Sequence, residues 1–411
     1  MRKGFFLLML ISYGVVGMAL ASKSIKEFGV LPENDASTNT VNLQKAIDWA
    51  SGHGAALIVE ASDEPYHLDG GIILKKNVSL IGVHGPTPRG TVHPTKKQPV
   101  GSVFKITDEK NVFITVETGT QIRGIQFWYP NQTIKDPNAI IPYPATIQTS
   151  KTSSTQGVNL ANLTFYGEYL AMDFNAENGK VSELMLIEHC YGYPLSGEFI
   201  RINYCYDIPR ILHCHVNPAI QRFIGGQYSP AVVDAVIAKK TFAFTINNTD
   251  NAQLMDLFTF GTYGGILLGG DSYGQLTNFN LDCVAVGIHK KGNNTFNRNW
   301  QIAQGSIIAN AGEPVENIHP IIIEGEGHTA ITNVEAFSGG NPALTTVPEN
   351  QSWNFLEVRG DKRLTVTLFG SRMRNYVSED PIHVHNKNAV VQAVACVDKN
   401  EKLYNHTLQG K

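Results

Sequence analysis

The sequence has few charged residues and no large excess of either sign. Charged side chains make up 17% of the 411 residues, and the formal net charge is -3. Binding to nucleic acid or to an anionic membrane surface requires clustered lysine and arginine, and no such cluster is present. The composition therefore argues against a nucleic-acid-binding protein, and it provides no acidic tail either.

Cysteine is also scarce. The five cysteines, Cys190, Cys205, Cys214, Cys283 and Cys396, form an odd and widely spaced set. Such a set does not build a disulfide framework, and no pair has the spacing of a zinc site. Cys283 and Cys396 fit small buried positions, whereas a disulfide among Cys190, Cys205 and Cys214 is left as an alternative.

Long apolar runs are absent after the N-terminus. Residues 1–21 contain Arg2 and Lys3, an apolar stretch, and the small-residue ending Ala19-Leu20-Ala21, which is the pattern of an export signal. The apolar stretch is shorter than the ~20 residues that cross a bilayer. We expect a signal peptide at 1–21, one domain over 22–411, no later membrane span, and a secreted, periplasmic or cell-surface protein.

The sequence is rich instead in a short repeat: an apolar residue, two mostly polar residues, an apolar residue, any residue, and a small or apolar one. Copies begin at Ile122, Leu160, Val181, Ile208, Leu254 and Leu276, with looser copies at Ile302, Ile331 and Val391. Most starts lie 21 to 29 residues apart, which is typical of coils that stack to bury their apolar sides. The alternation within each copy is strand periodicity. The repeat predicts an all-β solenoid, a parallel β-helix.

A helix precedes the repeats. Thr40 can cap it, and an apolar stripe from Val41 to Trp49 follows until Gly52 and Gly54 end it. We expect a helix at about 40–51, followed by several short strands.

Residues 25 to 85 resemble the opening of the pectate-lyase-like superfamily, which includes polygalacturonase-like and rhamnogalacturonase-like proteins, phage tailspikes and polyuronate epimerases. The segments that carry the resemblance are Phe28-Gly29, the helix end at 46–50, and the strands at 57–59, 66–68 and 77–82. The resemblance implies a right-handed parallel β-helix whose N-terminal end is capped by the helix. It also implies a polysaccharide ligand, and a homotrimer is an option because many members are trimers.

Polar excursions at 84–100, 129–154 and 339–353 interrupt the repeat. Trp128, Tyr129 and Tyr143 favour a contact surface at the second of these, whereas the first fits a surface loop equally well.

The third position of the repeat holds mostly Asn, Gln or Asp, which can hydrogen-bond between coils about 4.8 Å apart. We therefore expect Asp256 to be structural, and Glu183 and Arg210 to pair across successive coils.

Outward positions carry aromatic and charged residues, as a sugar-binding groove requires, because rings stack on sugars and charged groups bind hydroxyls. The substrate-binding candidates are Trp128, Tyr166, Glu168, Arg201, Phe260 and Glu335.

Four residues are the catalytic candidates. Asp271, in a glycine-rich loop, and Asp282 form the expected acid and base pair of a glycosidase, while His189 and Asp207 position the substrate. A turn-forming role for Asp271 is an equal alternative. His213 and His215 have a spacing compatible with a metal site, but no third ligand is evident and His213 falls on an inward position, so no metal site is predicted.

The polygalacturonase motifs are mostly missing: only Asn248-Thr249-Asp250 has a counterpart, and no Asp-Asp, Gly-His-Gly or Arg-x-Lys follows. The leading expectation is a secreted glycoside hydrolase that acts on a plant-type or acidic polysaccharide without a cofactor. A polysaccharide lyase, with calcium as its cofactor, or a uronate epimerase is one alternative, and a non-catalytic glycan-binding surface protein is another.

Overall fold

The computed structural model describes residues 22–83, 91–92, 95–177, 179–293, 298–337 and 351–410. The predicted signal peptide at 1–21, most of the excursion at 84–100 and most of the one at 339–353 lie outside the described residues.

The described chain is built almost entirely from short strands. In its N-terminal part these are β1 (Ser22–Ser24), β2 (Ala56–Val59), β3 (Tyr66–Leu68), β4 (Ile72–Leu74), β5 (Ser79–Gly82), β6 (Thr91–Val92), β7 (Pro99–Val100), β8 (Val103–Ile106), β9 (Ile114–Val116), β10 (Gln121–Arg123), β11 (Gln126–Trp128), β12 (Ile147–Thr149) and β13 (Thr155–Gln156). The middle part contains β14 (Asn159–Tyr166), β15 (Met172–Asn175), β16 (Ser182–Glu183), β17 (Leu186–Gly192), β18 (Ile200–Tyr206), β19 (Arg210–Leu212), β20 (His215–Val216), β21 (Phe242–Thr249), β22 (Ala252–Met255), β23 (Phe258–Phe260), β24 (Gly264–Gly269), β25 (Gly274–Thr277), β26 (Asn280–Val284) and β27 (Val286–Lys290). The C-terminal part contains β28 (Asn299–Ala309), β29 (His319–Ile323), β30 (Gly327–Ala336), β31 (Leu356–Val358), β32 (Leu364–Phe369), β33 (Ile382–Val384), β34 (Ala389–Val397) and β35 (Leu403–Gln409).

The strands stack in two long ladders that run the length of the molecule. Within the described residues, one sheet has 20 strands and the other has 13, and nearly every pairing in them is parallel. In the middle of the chain each coil contributes one strand to the 13-stranded sheet and a bent pair of strands to the 20-stranded sheet, as β24, β25 and β26 do. This arrangement is a right-handed parallel β-helix, so the fold that the repeat predicts is confirmed.

The ladder ends differently at its C-terminus. There β35 pairs with β34 in antiparallel fashion.

A sharp bend divides the 20-stranded sheet into a first face and a second face. One residue per coil adopts a left-handed conformation there, with φ between 51° and 67°, and these residues are Gly124, Asn162, His189, His213, Asp256, Asn278, Gln304, Asn333, Gly370 and Ala395. Glycine and asparagine adopt this conformation most readily, which explains why they recur in the column. Asp256 lies in the column and accepts a hydrogen bond from His213 Nδ1 over 2.8 Å, in agreement with its predicted structural role.

Three copies of the repeat are out of register with the coils. Leu160 pairs with Ile187, and Ile187 pairs with Ile211, so the copies begin there and not at Val181 and Ile208. Near the C-terminus, Leu368 pairs with Ala393, two residues after the expected start. The apolar pattern fits both registers. In these three coils the bend position lacks the glycine or asparagine that would have identified the correct register.

This shift corrects the expected ion pair of Glu183 and Arg210. Glu183 belongs to β16 in the 13-stranded sheet, where its carboxylate accepts from Gln156. Arg210 belongs to β19 in the other sheet and donates to the Ile208 carbonyl.

The interior is filled by stacked apolar side chains. In the N-terminal half these include aromatic rings, such as Phe127 and Phe165, whose ring centroids lie 5.0 Å apart in a stacked arrangement. Leu254, Leu276 and Ile302 continue the ladder as aliphatic residues, and all are buried. Burial of this kind is the main stabilising term of a solenoid.

The N-terminal helix α1 spans Ala36–His53, four residues longer at its start than predicted. Asp35, not Thr40, is the N-cap, and its carboxylate accepts from the Thr38 amide. The helix contacts β2, β3 and β4, and Asn39 donates to the His67 carbonyl. Its role in capping the end of the β-helix stays a prediction.

Two insertions lie over part of the second face of the 20-stranded sheet. One is the part of the excursion that precedes β12, and the other contains the short helix α2 (Pro230–Ile237). They are joined by hydrogen bonds from the Ser229 amide to the Ile134 carbonyl, 2.7 Å, and from the Ser229 hydroxyl to the Lys135 carbonyl, 2.8 Å. The outward side chains beneath them are therefore shielded from solvent.

All five cysteines are buried free thiols. Cys190 and Cys214 lie on successive coils, and burial raises the pKa of the Cys190 thiol well above its ordinary value. No described helix is long and apolar enough to span a membrane.

Candidate functional site

The groove predicted on the second face is largely closed. Trp128 and Tyr166 are neighbours in the outward column, as expected, but Tyr166 is fully buried. Glu168 is also fully buried. Tyr166 and Glu168 therefore cannot contact a polysaccharide in this structure, which corrects their assignment as substrate-binding residues.

The other outward candidates on this face are separated from one another. Phe260 pairs with Asp282 on the next coil, and both are half-buried. Glu335 lies further along and forms ion pairs with Arg372, 3.6 Å, and Arg374, 3.4 Å. Trp128 lines a separate cavity of about 570 Å³ under the insertions, which contains no carboxylate.

His189 and His213 both lie at the bend of the 20-stranded sheet. His189 is therefore not at an outward strand position, and His213 is not at an inward one. Their rings stack with centroids 4.7 Å apart. His215 lies beyond the bend and stacks on Phe258, 4.1 Å away. The two histidines of the His213-Cys214-His215 motif therefore belong to different stacks, and they do not converge on a metal.

The structure does not bring Asp271 and Asp282 together. Asp271 lies in the turn between β24 and β25, whereas Asp282 lies in β26, beyond the bend at Asn278. The two carboxylates therefore lie on different sides of the coil. Burial raises the pKa of the Asp282 carboxyl.

Asp271 instead lines a small cavity of about 300 Å³ with Tyr204, Tyr206, Asp250, Tyr273 and Arg298. Its carboxylate lies 3.9 Å from the Arg298 guanidinium, and its amide donates to Asn248. Asp207 follows Tyr206 at the same corner and is exposed.

A larger cleft, of about 600 Å³, lies on the outer surface of the 13-stranded sheet. Its floor consists of Gln148, Asp173 and Arg201, which occupy the same outward position on β12, β15 and β18. The walls come from the excursion at 129–154, through Tyr143, and from the segments around Tyr169 and Thr241. Tyr129 and Tyr143 are themselves almost fully buried, so the contact surface expected from the aromatic residues of the excursion stays a prediction.

One arginine holds two carboxylates at the centre of this cleft. Arg201 donates from Nε to Asp173 Oδ1 and from Nη2 to Asp173 Oδ2, both over 2.9 Å. Its Nη1 donates to Glu198 Oε2 over 3.4 Å. Such a two-point arginine–carboxylate contact fixes both groups in orientation.

The environment shifts the pKa values of the Asp173 and Glu198 carboxyl groups in opposite directions. Burial raises the pKa of the Glu198 carboxyl, and the nearby Asp173 charge adds to the effect. Burial also opposes ionisation of Asp173, but its hydrogen bonds and ion pairs with Arg201 and Lys151 hold its pKa below the ordinary value. A pair with separated pKa values is the usual arrangement of an acid and a base in one site.

Positive charge surrounds the carboxylates. Lys151 Nζ lies 3.6 Å from Asp173, and Lys239 lies over the Tyr169 ring, 5.6 Å from its centroid. Arg201 and Lys151 keep 33% and 46% of their side chains exposed, so both can contact a ligand. Three cations, Lys151, Arg201 and Lys239, face two carboxylates, so the cleft carries a positive net charge and favours an anionic ligand.

The sequence places Glu198 and Arg201 in one polar stretch and makes Arg201 a substrate-binding candidate, but it does not assign Asp173 or Lys151 to the same site. Asp173 and Arg201 are 28 residues apart, one coil of the β-helix. Strands of the 13-stranded sheet carry no clear copy of the repeat, so the sequence offers no register for them. The coil length is the one signal that could have joined these residues.

Comparisons with known proteins identify no family. No family model matches the chain, and no curated protein matches it. Among solved structures, the A-module of the mannuronan C-5 epimerase AlgE6 from Azotobacter vinelandii matches with 12% identity and a TM-score of 0.49, over 92% of this chain and 99% of that one.

Two other matches are of the same kind. The enzymatically active domain of bacteriophage CBA120 tailspike protein 2 has 11% identity and a TM-score of 0.47, over 84% of this chain and 47% of that one. A DFA-IIIase from Arthrobacter chlorophenolicus has 10% identity and a TM-score of 0.43, over 93% and 92%. Such distant matches transfer neither an activity nor a residue role, because one fold hosts many functions.

Proposed function

We propose that the protein is a carbohydrate-active enzyme that acts on an acidic polysaccharide in the cleft around Asp173, Glu198 and Arg201. The observation that carries the proposal is the pair of carboxylates held by one arginine with their pKa values shifted in opposite directions. The expected export of the chain, from residues 1–21, fits an extracellular substrate.

In glycoside hydrolysis, Glu198 is the proton donor to the leaving oxygen, because burial keeps its carboxyl protonated to higher pH than usual. Asp173 is the ionised partner that activates water or stabilises the positive charge that develops on the sugar. Its contacts with Arg201 hold this carboxylate in place and keep it ionised.

The cations and one ring suit a uronic acid substrate. Arg201, Lys151 and Lys239 can bind sugar carboxylates, and the partly exposed Tyr169 lines the same cleft. This is the reason to prefer an acidic polysaccharide to a neutral one.

β-Elimination or epimerisation of a uronate is the second candidate, and the same cations favour it. When a cation neutralises the uronate carboxylate, the neighbouring C–H becomes more acidic, and a base can then remove the proton. Elimination next breaks the bond to the glycosidic oxygen, which takes up a proton as it leaves, whereas epimerisation returns a proton to the opposite face of the same carbon. Asp173 is ionised and lies 3.6 Å from Lys151, so it is the base that this chemistry would use.

A panel of acidic and neutral glycans separates these reactions. Hydrolysis produces new reducing ends without unsaturated products, whereas elimination produces unsaturated products that absorb in the near ultraviolet. Binding without turnover on the whole panel would instead favour a non-catalytic glycan-binding protein.

The variant Glu198→Gln tests the site. We expect kcat on an active glycan to fall by about 100- to 10,000-fold, the usual contribution of a general acid. The matched control is Asp271→Asn, which removes one carboxylate from the smaller cavity and should leave kcat within about twofold if Asp271 only shapes a turn. Full activity in Glu198→Gln together with a large loss in Asp271→Asn would place the reaction at the smaller cavity instead.

A further inference from the structure

A second polar cluster lies at the C-terminal end of the 13-stranded sheet, on the same outer surface as the cleft. Glu357 in β31 is paired directly with His383 in β33, and His385 follows on the same side of the chain. Five strand steps of about 4.8 Å, or about 24 Å, separate Glu357 from Arg201 along the sheet, so the cluster is independent of the proposed function.

Three potential ligand atoms converge in this cluster. One atom each of Glu357, His383 and His385 lies within 4.8 Å of the other two. Glu357 Oε1 lies 2.9 Å from His385 Nε2. The two imidazole rings are 6.2 Å apart and inclined at 69°, so they are not stacked and their nitrogens can point to one position.

The carboxylate at the centre is held by neighbouring side chains. Asn354 Nδ2 donates to Glu357 Oε2, which leaves Asn354 Oδ1 as the acceptor of a hydrogen bond from His319 Nδ1 over 2.9 Å. His319 Nε2 then accepts from Arg359 Nη2 over 3.1 Å. Arg359 Nε also donates to Glu357 Oε1, over 3.4 Å. A chain of hydrogen bonds that fixes a carboxylate in this way is typical of the groups around a metal ligand.

The cluster combines a buried carboxylate with an exposed imidazole. The Glu357 side chain is 8% exposed, whereas His385 is 62% exposed. The carboxylate is therefore fixed from inside the protein, and the two imidazoles leave a side open to solvent. An ion bound there would keep at least one position for water or another ligand.

From this geometry we propose that Glu357, His383 and His385 form a site for a divalent first-row transition metal, with Zn²⁺ as the representative ion. Two imidazoles and one carboxylate with an open position are a frequent ligand set for zinc and for related metals. Calcium and magnesium prefer oxygen ligands alone, so they should not bind here. Binding would replace the contact between His385 and Glu357, while Asn354 and His319 would keep the carboxylate in place.

The test is equilibrium binding of Zn²⁺ to the metal-free full chain, prepared without a histidine tag and followed by calorimetry. We expect one ion per chain, and no displacement by a large excess of Ca²⁺ or Mg²⁺. His385→Ala, at an exposed position, should weaken binding at least about 100-fold, and Glu357→Gln should do so as well, because each removes a ligand. Co²⁺ in place of Zn²⁺ should give visible absorption bands that both variants lose.

The matched control is His406→Ala, which removes an exposed histidine on β35 outside the cluster. It should bind Zn²⁺ like the wild type. The proposal is overturned if the wild type binds no Zn²⁺, or if His385→Ala binds it as tightly as His406→Ala. Thermal melting of the metal-free variants shows whether each is folded, and His385→Ala should melt like the wild type because its side chain lies largely in solvent.

Discussion

Two buried carboxylates only five residues apart have opposite environments. Glu168 lies under the insertions on the second face of the 20-stranded sheet, is fully buried, and has no cation beside it among the described residues. Asp173 lies on the 13-stranded sheet, is almost as deeply buried, and is held by Arg201 and Lys151. Burial raises the pKa of Glu168 to about 8, whereas the cations keep the pKa of Asp173 below its ordinary value.

In this protein, neighbouring cations and access to an open cleft distinguish Asp173 from the enclosed Glu168. Both surfaces of the β-helix carry aromatic and acidic residues at outward positions, so the residue types alone do not distinguish them. The second face is covered by loops that bring apolar and aromatic contacts, whereas the 13-stranded sheet keeps an open cleft and supplies cations. Three predictions test this contrast.

The largest expected effect concerns the stability of the enclosed carboxylate. Among the described residues, neither oxygen of Glu168 has a hydrogen-bond partner of good geometry, and the nearby amides of Glu168 and Tyr193 offset burial only in part. The folded protein therefore keeps a proton that the unfolded chain loses above its ordinary pKa of 4.5. This contribution to stability is full below that pH and is lost as the pH rises to about 8.

The free energy of unfolding should accordingly fall by up to about 1.4 kcal/mol for each pH unit in this window, on the order of 4 kcal/mol in total, because of this one group. Urea denaturation of wild type and Glu168→Gln across the window measures it, and the variant should lack this part of the slope. Glu177→Gln, at an exposed position, is the control and should keep it. Identical slopes in Glu168→Gln and the wild type would mean that Glu168 is ionised or hydrated in the folded state.

Much of the fold could be predicted from the sequence because strand periodicity and coil length are local signals. Six of the nine repeat copies lie in the observed register, and the copies at Val181, Ile208 and Val391 do not. The failures have a physical cause. The bend favours glycine or asparagine, but His189, His213 and Ala395 occupy it in those coils, and Cys190 replaces the expected larger apolar residue.

The candidate site was harder to predict, because it depends on which face the insertions cover. Nothing in the sequence places the segment around α2 above Tyr193, whose hydroxyl donates to the Gly261 carbonyl in a fully buried position. Nor does the sequence mark a register in the 13-stranded sheet that would relate Asp173 to Arg201, or Glu357 to His383, across one coil. His383 and His385 have the same spacing as His213 and His215, yet among the described residues only His383 and His385 converge with a carboxylate as possible ligands of one ion.

An intermediate effect is expected when the paired carboxylate loses its cation. Arg201→Met should lower the free energy of unfolding by about 2–3 kcal/mol, less than the 3–5 kcal/mol of a fully buried pair, because a third of the Arg201 side chain is exposed. The matched control, Arg298→Met, breaks an exposed contact with Asp271 and should cost about 1 kcal/mol or less. Adding Asp173→Asn to Arg201→Met should restore part of the loss, and urea denaturation of the set gives the coupling energy. Equal losses in the two arginine variants would contradict the contrast between the cleft and the exposed corner.

The smallest effect is a shift in the pH dependence of activity. Because Glu198 donates its proton in the proposed reaction, kcat should fall about tenfold per pH unit above the pKa of this group. Burial places that limb above the ordinary value of 4.5, and the Arg201 charge opposes the rise. Arg201→Met should therefore move the falling limb to higher pH, whatever it does to the maximal rate.

Glu168→Gln should leave the limb in place, since Glu168 is enclosed beneath the insertions and does not line the cleft. A limb that moves in Glu168→Gln and stays fixed in Arg201→Met would assign the titrating acid to the covered face, and it would reverse the roles that the two carboxylate environments suggest.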